Sequence, residues 1–384
     1  MLTVLAVAII SSCSLVEDNI SLGYPHIYGH RNSTRTGTTA GNDSTGSPVA
    51  PRKDTLMYLS AVRFPVDYDW KKDSAYGAVT AELVLMCNYH DVLSIPVGPH
   101  VSAAADRHHI VDGHLVTEFQ ASSRTYIGID GKELISMEGR HVLMGVLEHE
   151  GTLYTLTRPV TGEGFCLMAN GSTVLSKGEG KLYGSMAEPS YSPNGALYLD
   201  AGKVCFCFAS NGRAFMAADG VESQIGDLAA SIHDARMIDG TAVPARSGSN
   251  GLSWQDSRIW PLESGYAIAG IVLGKPMVYR TNGSSRRLFG SIESTIYVND
   301  VQEFALSHSR DGIIKVAAAG KEQAQDGNWY FFSPKCACLG PKGPALALTP
   351  RGSTGKPVVV YAGDSRAVSL NGFLTGIQIT TEEN

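Results

Sequence analysis

From Thr55 onward the chain alternates short apolar, β-prone stretches with turn-forming pairs, in a recurring order. Residues 55–64 (TLMYLSAVRF) and 78–85 (AVTAELVL) are rich in β-branched, aromatic and aliphatic side chains. Thr125-Tyr-Ile-Gly-Ile129 runs into Asp130-Gly131, and Glu133-Leu-Ile135 follows. Gly164-Phe-Cys-Leu-Met168 leads to Asn170-Gly171 and then Thr173-Val-Leu175. Val204-Cys-Phe-Cys-Phe208 leads to Asn211-Gly212 and then Ala214-Phe-Met216, and Met277-Val-Tyr279 precedes Asn282-Gly283 and Arg287-Leu-Phe289. Asn-Gly and Asp-Gly supply the positive φ angles of a two-residue type I′ turn, so each unit predicts an antiparallel hairpin. No 12-residue stretch carries a 3.6-residue apolar period.

The spacing converts hairpins into a fold class. Gly131, Gly171, Gly212 and Gly251 are 40, 41 and 39 residues apart, and Gly283, Gly327 and Gly372 continue at intervals of 32, 44 and 45. A second element keeps step, with Gly151-Thr-Leu-Tyr154 before the Asn170 turn and Gly195-Ala-Leu-Tyr198 before the Asn211 turn. Each unit has room for four short strands, the size of one propeller blade. Residues 54–377 would then form an all-β domain, a β-propeller of about seven four-stranded blades, with 378–384 as a tail. One or two β-sandwiches are the alternative.

The N-terminus has a different character. Leu2 to Ile10 is apolar and ends in Ser11-Ser12-Cys13, too short to span a bilayer. Residues 1–13 read as a signal peptide whose final Cys13 is the lipidation point, although no Lys or Arg precedes the apolar run. Glu17-Asp18 follows, and residues 31–50 are almost entirely Ser, Thr, Gly, Asn and Pro, so 14–53 reads as a flexible tether. Ile10-Ser-Ser-Cys13 resembles a bacterial lipobox, and with the acids after it the chain is similar to propeller-type lipoproteins of Bacteroidetes. That resemblance implies a lipid-anchored protein of the bacterial outer membrane, surface-exposed or periplasmic.

Composition narrows the chemistry. Glycine makes up 42 of 384 residues, which suits tight turns and disfavours long helices. The net charge is −6 with no basic run, which argues against a nucleic-acid partner. Cys205 with Cys207, and Cys336 with Cys338, have spacings that fit small buried residues or disulfides better than a zinc knuckle. His100, Asp106, Arg107, His108, His109, Asp112 and His114 form the densest ionisable stretch, read as a polar loop between strands. Glu148-His149-Glu150 and Lys177-Gly-Glu-Gly180 read as turns, and Ser309-Arg-Asp-Gly312 is a lone, incomplete Asp-box turn. No nucleophile elbow, zinc helix or phosphate loop occurs, so no catalytic residue, cofactor or metal site is assigned.

Trp254, Asp256, Arg258 and Trp260 would share a face of one continuous strand and are the candidate ligand-binding residues. The expected function is a binding or scaffolding module for a glycan or an envelope protein. The alternative is a polysaccharide- or glycoconjugate-processing enzyme with carboxylates around the propeller channel. For the address, radiolabelled palmitate is expected to enter the wild-type protein and not the Cys13→Ala variant; equal labelling would overturn the lipid anchor.

Overall fold

A computed structural model describes residues 53–383, apart from 73–78, 98–107, 112, 122, 184–195, 228–230, 292–293, 310, 319–320, 326, 331–333 and 353–354. The expected signal peptide, Cys13 and almost all of the expected tether lie outside the described residues. Seven sheets of four or five antiparallel strands follow one another. Blade 1 runs, from the hub outward, Gly372–Glu383, Lys53–Arg63, Ala81–Cys87 and His90–Val97. Blade 2 is His108–Val111, His114–Ala121, Arg124–Ile129 and Lys132–Glu138; blade 3 is His141–His149, Thr152–Pro159, Phe165–Ala169 and Ser172–Lys177. Blade 4 has a divided inner edge, Lys181–Leu182 and Tyr198–Asp200, followed by Lys203–Ser210, Arg213–Ala218 and Val221–Gly226.

A two-stranded hairpin, Ile232–Ile238 and Thr241–Arg246, comes next. Blade 5 is Trp254–Leu262, Gly265–Val272, Lys275–Arg280 and Ser285–Arg287, and blade 6 is Thr295–Val298, Glu303–His308, Ile314–Ala318 and Lys321–Ala324. Blade 7 has inner pieces Trp329–Tyr330 and Ala337–Gly340, then Gly343–Pro350, Val358–Tyr361 and Asp364–Ala367. The expected seven four-stranded blades are present.

Packing arranges these sheets in a ring. Strand side chains alternate between faces, so a strand buried on both sides is apolar throughout. In Lys203–Ser210, Val204, Phe206 and Phe208 pack toward blade 3, whereas Cys205 and Cys207 pack toward the hairpin. The hairpin then meets blade 5 through Val243, Ala245, Ile259 and Ile268. Each remaining neighbour pair shares its own apolar cluster, and the last joins blade 7 to blade 1. The hairpin therefore holds a place of its own between blades 4 and 5. It is fastened to blade 4 by the Met237 N–H donating to the Tyr198 hydroxyl at 2.7 Å, and by Arg236 lying 5.0 Å over the Tyr198 ring.

The ring closes through the C-terminus. Gly372–Glu383 pairs along Lys53–Arg63 with a bulge near Ser60/Ala61, so residues 378–383, expected as a tail, are part of the closing strand. At one end of this seam Trp70 packs on Phe64 and Phe373, with ring centroids 6.0 and 5.3 Å away.

The repeating corner is an Asx clamp. In blades 1–4 the turn between third and fourth strands begins with Asn88, Asp130, Asn170 or Asp219, at φ of 46 to 49°. Each side-chain oxygen accepts from a second-strand N–H, of Met57, Leu115, Leu153 or Val204, at 2.9 to 3.1 Å. Each turn N–H donates back to the same residue's carbonyl at 2.8 to 2.9 Å. Asx residues suit this corner because they tolerate left-handed φ and carry a short acceptor. In blade 5 Thr281 substitutes, accepting from Tyr266 N–H at 3.3 Å.

This clamp corrects the expected 40-residue beat. Gly131 and Gly171 occupy the third turn of their blades, but in blade 4 that place belongs to Gly220, and Gly212 lies one turn earlier. Gly251 lies in a 3₁₀ turn ahead of blade 5, and Gly372 opens the closing strand. The Gly-x-Leu-Tyr segments also differ, the first being a second strand and Tyr198 belonging to an inner strand.

Asn170→Ala should lower the unfolding free energy by about 2 kcal/mol, by placing alanine at positive φ and removing a hydrogen bond. Asn211, at φ 50°, makes no such clamp, so Asn211→Ala should cost about 1 kcal/mol less than Asn170→Ala. Urea denaturation of both variants with unchanged slope checks the difference.

Candidate functional site

A cavity of about 240 Å³ lies at the hub, walled by the inner strands of five consecutive blades, 5, 6, 7, 1 and 2. Blade 1 contributes Ser60 and Gly376–Ile379, blade 2 His108–Ile110, blade 5 Trp260, blade 6 Tyr297–Asn299, and blade 7 Ala337–Leu339 with the adjacent Lys335. Most of these side chains are apolar because the inner strands also serve the interblade cores.

The bulge in the closing strand leaves Thr375 unpaired in the ladder. Its hydroxyl donates to Ser60 Oγ at 3.0 Å and lies 2.5 Å from His108 Nε2, a buried polar chain joining blades 1 and 2. With that hydroxyl donating to Ser60, His108 carries its proton on Nε2. The Lys335 ammonium donates to the His108 carbonyl at 2.8 Å, which brings the end of blade 7 across to blade 2. Burial, then the charge of Lys335 and the neighbouring His108, depress the His109 pKa well below its ordinary value. His109 is therefore a neutral imidazole beside a cation.

Two polar atoms of the lining residues lack a hydrogen-bond partner within the protein although both are buried: Trp260 Nε1, a donor, and Gln378 Oε1, an acceptor. Both atoms are sealed from water, so as the side chains stand neither is open to a ligand in the cavity. Among the described lining residues Lys335 is the charged group, and none is Asp or Glu. Cys338 also lines the cavity, and burial pushes its thiol up to about 12, so it stays protonated.

The structure separates the four residues expected to bind ligand. A bulge between Trp254 and Asp256 shifts the register, with Trp254 opposite Val272 and Asp256 opposite Ile271. One extra residue reverses the alternation, so Trp254 does not share a face with Trp260. A Cβ on Gly270, across from the bulge, would overlap the Asp256 carbonyl oxygen. Trp254 is buried between the hairpin and blade 5 and donates Nε1–H to the Ser249 carbonyl at 2.9 Å. Asp256 is exposed, and Arg258 acts electrostatically on the buried Asp234 of the hairpin. Of the four, Trp260 lines the cavity.

Other candidates resolve structurally. His114 pairs with Asp130 at 2.7 Å on an exposed corner, whereas His108 and His109 form an inner strand rather than a polar loop. Glu148-His149-Glu150 leads into a hairpin turn, with Glu150 at φ 50° and His149 Nε2 3.0 Å from the Gly202 carbonyl. The six cysteines of the described residues are free, and no metal-binding cluster occurs among those residues. His100, Asp106, Arg107 and Asp112 lie outside the described residues.

Lys335, Gln378 and Tyr297 were not singled out from the sequence. The alternation Ile377-Gln-Ile379 marked a strand in the supposed tail, but Lys335 and Tyr297 carry no local signal for a hub position.

His109 generates a pH prediction. Its folded pKa is depressed, so below about 6.5 the unfolded chain takes up a proton that the folded chain does not. Its contribution to stability is full above that value and is lost as pH falls through it. Urea titrations from pH 7.5 to 5 should show a shallower decline for His109→Gln than for wild type, while the depressed His233 and His308 act equally in both. Parallel declines would show that His109 is not the group responsible.

The chain is thus a closed, all-β propeller with a small, mixed-polarity cavity at its hub. No family model matches the chain, and no curated protein matches it in sequence. Solved structures do match in shape. One is BBS1N, from crystals of its complex with ARL6DN soaked with lead: 12% identity, TM-score 0.34, covering 86% of this chain and 97% of that one. The mercury-soaked counterpart gives 11% identity and TM-score 0.32 over 86% and 98% of the two chains. The extracellular domain of a hybrid two component system of B. thetaiotaomicron gives 10% identity and TM-score 0.27, over 79% of this chain and 62% of that one. These likenesses concern the fold alone.

Proposed function

We propose that this chain is a non-catalytic binding module of the bacterial cell envelope, held at the outer membrane by lipid on Cys13 and recognising a glycan or an envelope protein. The observation that carries the reading is the hub cavity, bounded by residues of five blades, mostly apolar, with a few polar side chains such as His109, Asn299 and Lys335 among them. Concave, largely apolar sites with a few convergent polar groups are the usual form of a ligand pocket.

Glycoside hydrolysis makes a different demand, two carboxyl groups flanking the bond at roughly 5 to 9.5 Å. The enzyme alternative would need such a pair at the mouth of this cavity. Short Ser/Thr/Gly-rich sequence between Cys13 and the first strand fits a tether that lets the propeller reach a partner near the membrane.

Incubation of the purified chain with solubilised envelope polysaccharides should yield a retained complex in gel filtration and no new reducing ends. Steady release of reducing ends, abolished by substitution of an Asp or Glu, would replace the binding reading with the enzyme one.

A further inference from the structure

We infer that the free edge of the two-stranded hairpin is a docking site for an extended, acidic peptide segment of a partner protein. None of the hairpin's residues lines the hub cavity, so the inference goes beyond the reading above and does not rest on it.

The hairpin is two strands short of its neighbours. Ile232–Ile238 and Thr241–Arg246 stand between blades 4 and 5. Those sheets continue outward, through Arg213–Ala218 and Val221–Gly226 on one side and Lys275–Arg280 and Ser285–Arg287 on the other. Among the described residues Thr241–Arg246 is paired along one edge, so its other edge is recessed between two wider sheets. Ala242, Val243 and Pro244 are half-buried there. The fourth strands of the blades also have free edges, but no neighbouring sheet extends beyond them.

The turn fixes which main-chain groups this edge presents. Asp239 and Gly240, at φ 50 and 71°, form a two-residue turn, so the flanking Ile238 and Thr241 are hydrogen-bonded across the ladder. The amides of Val243 and Ala245 point the same way, and positions 242, 244 and 246 point outward. Ser249 Oγ takes the Arg246 N–H at 2.7 Å, and Pro244 has no N–H to give. The edge therefore offers the Ala242 N–H and the carbonyls of Ala242 and Pro244. An extended chain that donates twice and accepts once completes it, as in strand addition.

The flanks specify the side chains of that chain. Met277 and Tyr279 of blade 5 are partly exposed in the cluster that holds Val243, and Arg287 and Ser285 stand across the ladder from them on the same face. Lys275 joins that face by alternation, its Nζ donating to the Gly290 carbonyl at 3.2 Å. On the other flank Arg246 lies beside Gly226 of blade 4. Lys275, Arg287 and Arg246 form no ion pair among the described residues. Apolar residues alternating with Asp or Glu meet both the Met277–Tyr279 surface and these cations. A second copy of the same edge would instead set cations against cations and proline against proline.

The test is fluorescence anisotropy of the full chain with a labelled peptide of alternating valine and glutamate, about seven residues long. It should bind about tenfold tighter than the same peptide with lysine for glutamate, and more weakly as salt rises. Arg287→Glu and Arg246→Glu, both at exposed positions, should each weaken it about fivefold with the melting temperature unchanged. N-methylation of one alternate set of peptide amides should abolish binding and methylation of the other set should spare it, because only one set faces the Ala242 and Pro244 carbonyls. The peptide comparisons decide the matter even where a variant fails to fold. Equal binding of the lysine peptide, wild-type affinity in both charge-reversed variants, equal loss with either methylation pattern, or no binding of the glutamate peptide would overturn the docking site. A wild-type dimer in light scattering that Ala242→Pro splits into monomers would assign the edge to a second copy and overturn the partner assignment. The envelope-polysaccharide assay separately decides the reading of the hub cavity.

Discussion

A blade of this protein cannot stand alone, because both faces of its sheet are apolar and each needs a neighbour. Phe206 and Phe208 are covered only if blade 3 is present, and Cys205 and Cys207 only if the hairpin is. The same condition holds at every joint, so the ring must close before any one sheet is fully buried. Closure falls to the C-terminal strand, which pairs along Lys53–Arg63, the first strand of the described residues. Such contacts have the largest sequence separation of any strand pairing among the described residues, and their loop-closure entropy must be met by the packing they complete.

That demand explains the polar groups buried near the seams. Glu118 in blade 2 accepts the Leu143 N–H of blade 3 at 2.8 Å, and Thr349 in blade 7 accepts the Leu374 N–H of blade 1 at 3.0 Å. Asp234 does the same from the hairpin to Ile259 of blade 5 at 2.8 Å. Each satisfies an inner-strand amide that the strand ladder leaves over, and a buried amide without a partner costs about 1 to 3 kcal/mol. The Asp234 carboxyl is raised by its burial, against the pull of Arg236 and Arg258. The hairpin is therefore a working member of the ring, with apolar cover on both sides and a polar stitch to the next blade.

The hub cavity follows from the same geometry. Inner strands converge there, bulges interrupt their alternation, and side chains such as Gln378 and Trp260 are left with polar atoms that no strand partner satisfies. The cavity wall and the closure contacts thus share residues. His108 joins Thr375 and Ser60 across blades 1 and 2 and receives Lys335 from blade 7, while lining the cavity itself.

Local pattern was enough for the strands, their hairpin turns and the all-β class, because φ preference and face alternation act over two to four residues. Asp130-Gly131 and Asn170-Gly171 announced their turns for that reason, and the strand of Cys205 and Cys207 announced burial on both faces. Which turn was which depended on clamp partners some 15 residues away, so Gly212 and Gly220 could not be told apart by spacing. Of the cavity wall, Trp260 was legible as a binding residue, whereas His108, His109 and Cys338 stood out in the sequence only as a polar loop and a small buried residue. A one-residue bulge, set by the contact of Asp256 with Gly270 on the next strand, turned Trp254 away from Trp260. Lys335 and His108 lie 227 positions apart and meet only because the ring closes. Sequence determined the strands, the turns and their apolar faces; closure of the ring alone decided which inner-strand side chains look into the hub, since that is set by contacts between opposite ends of the chain.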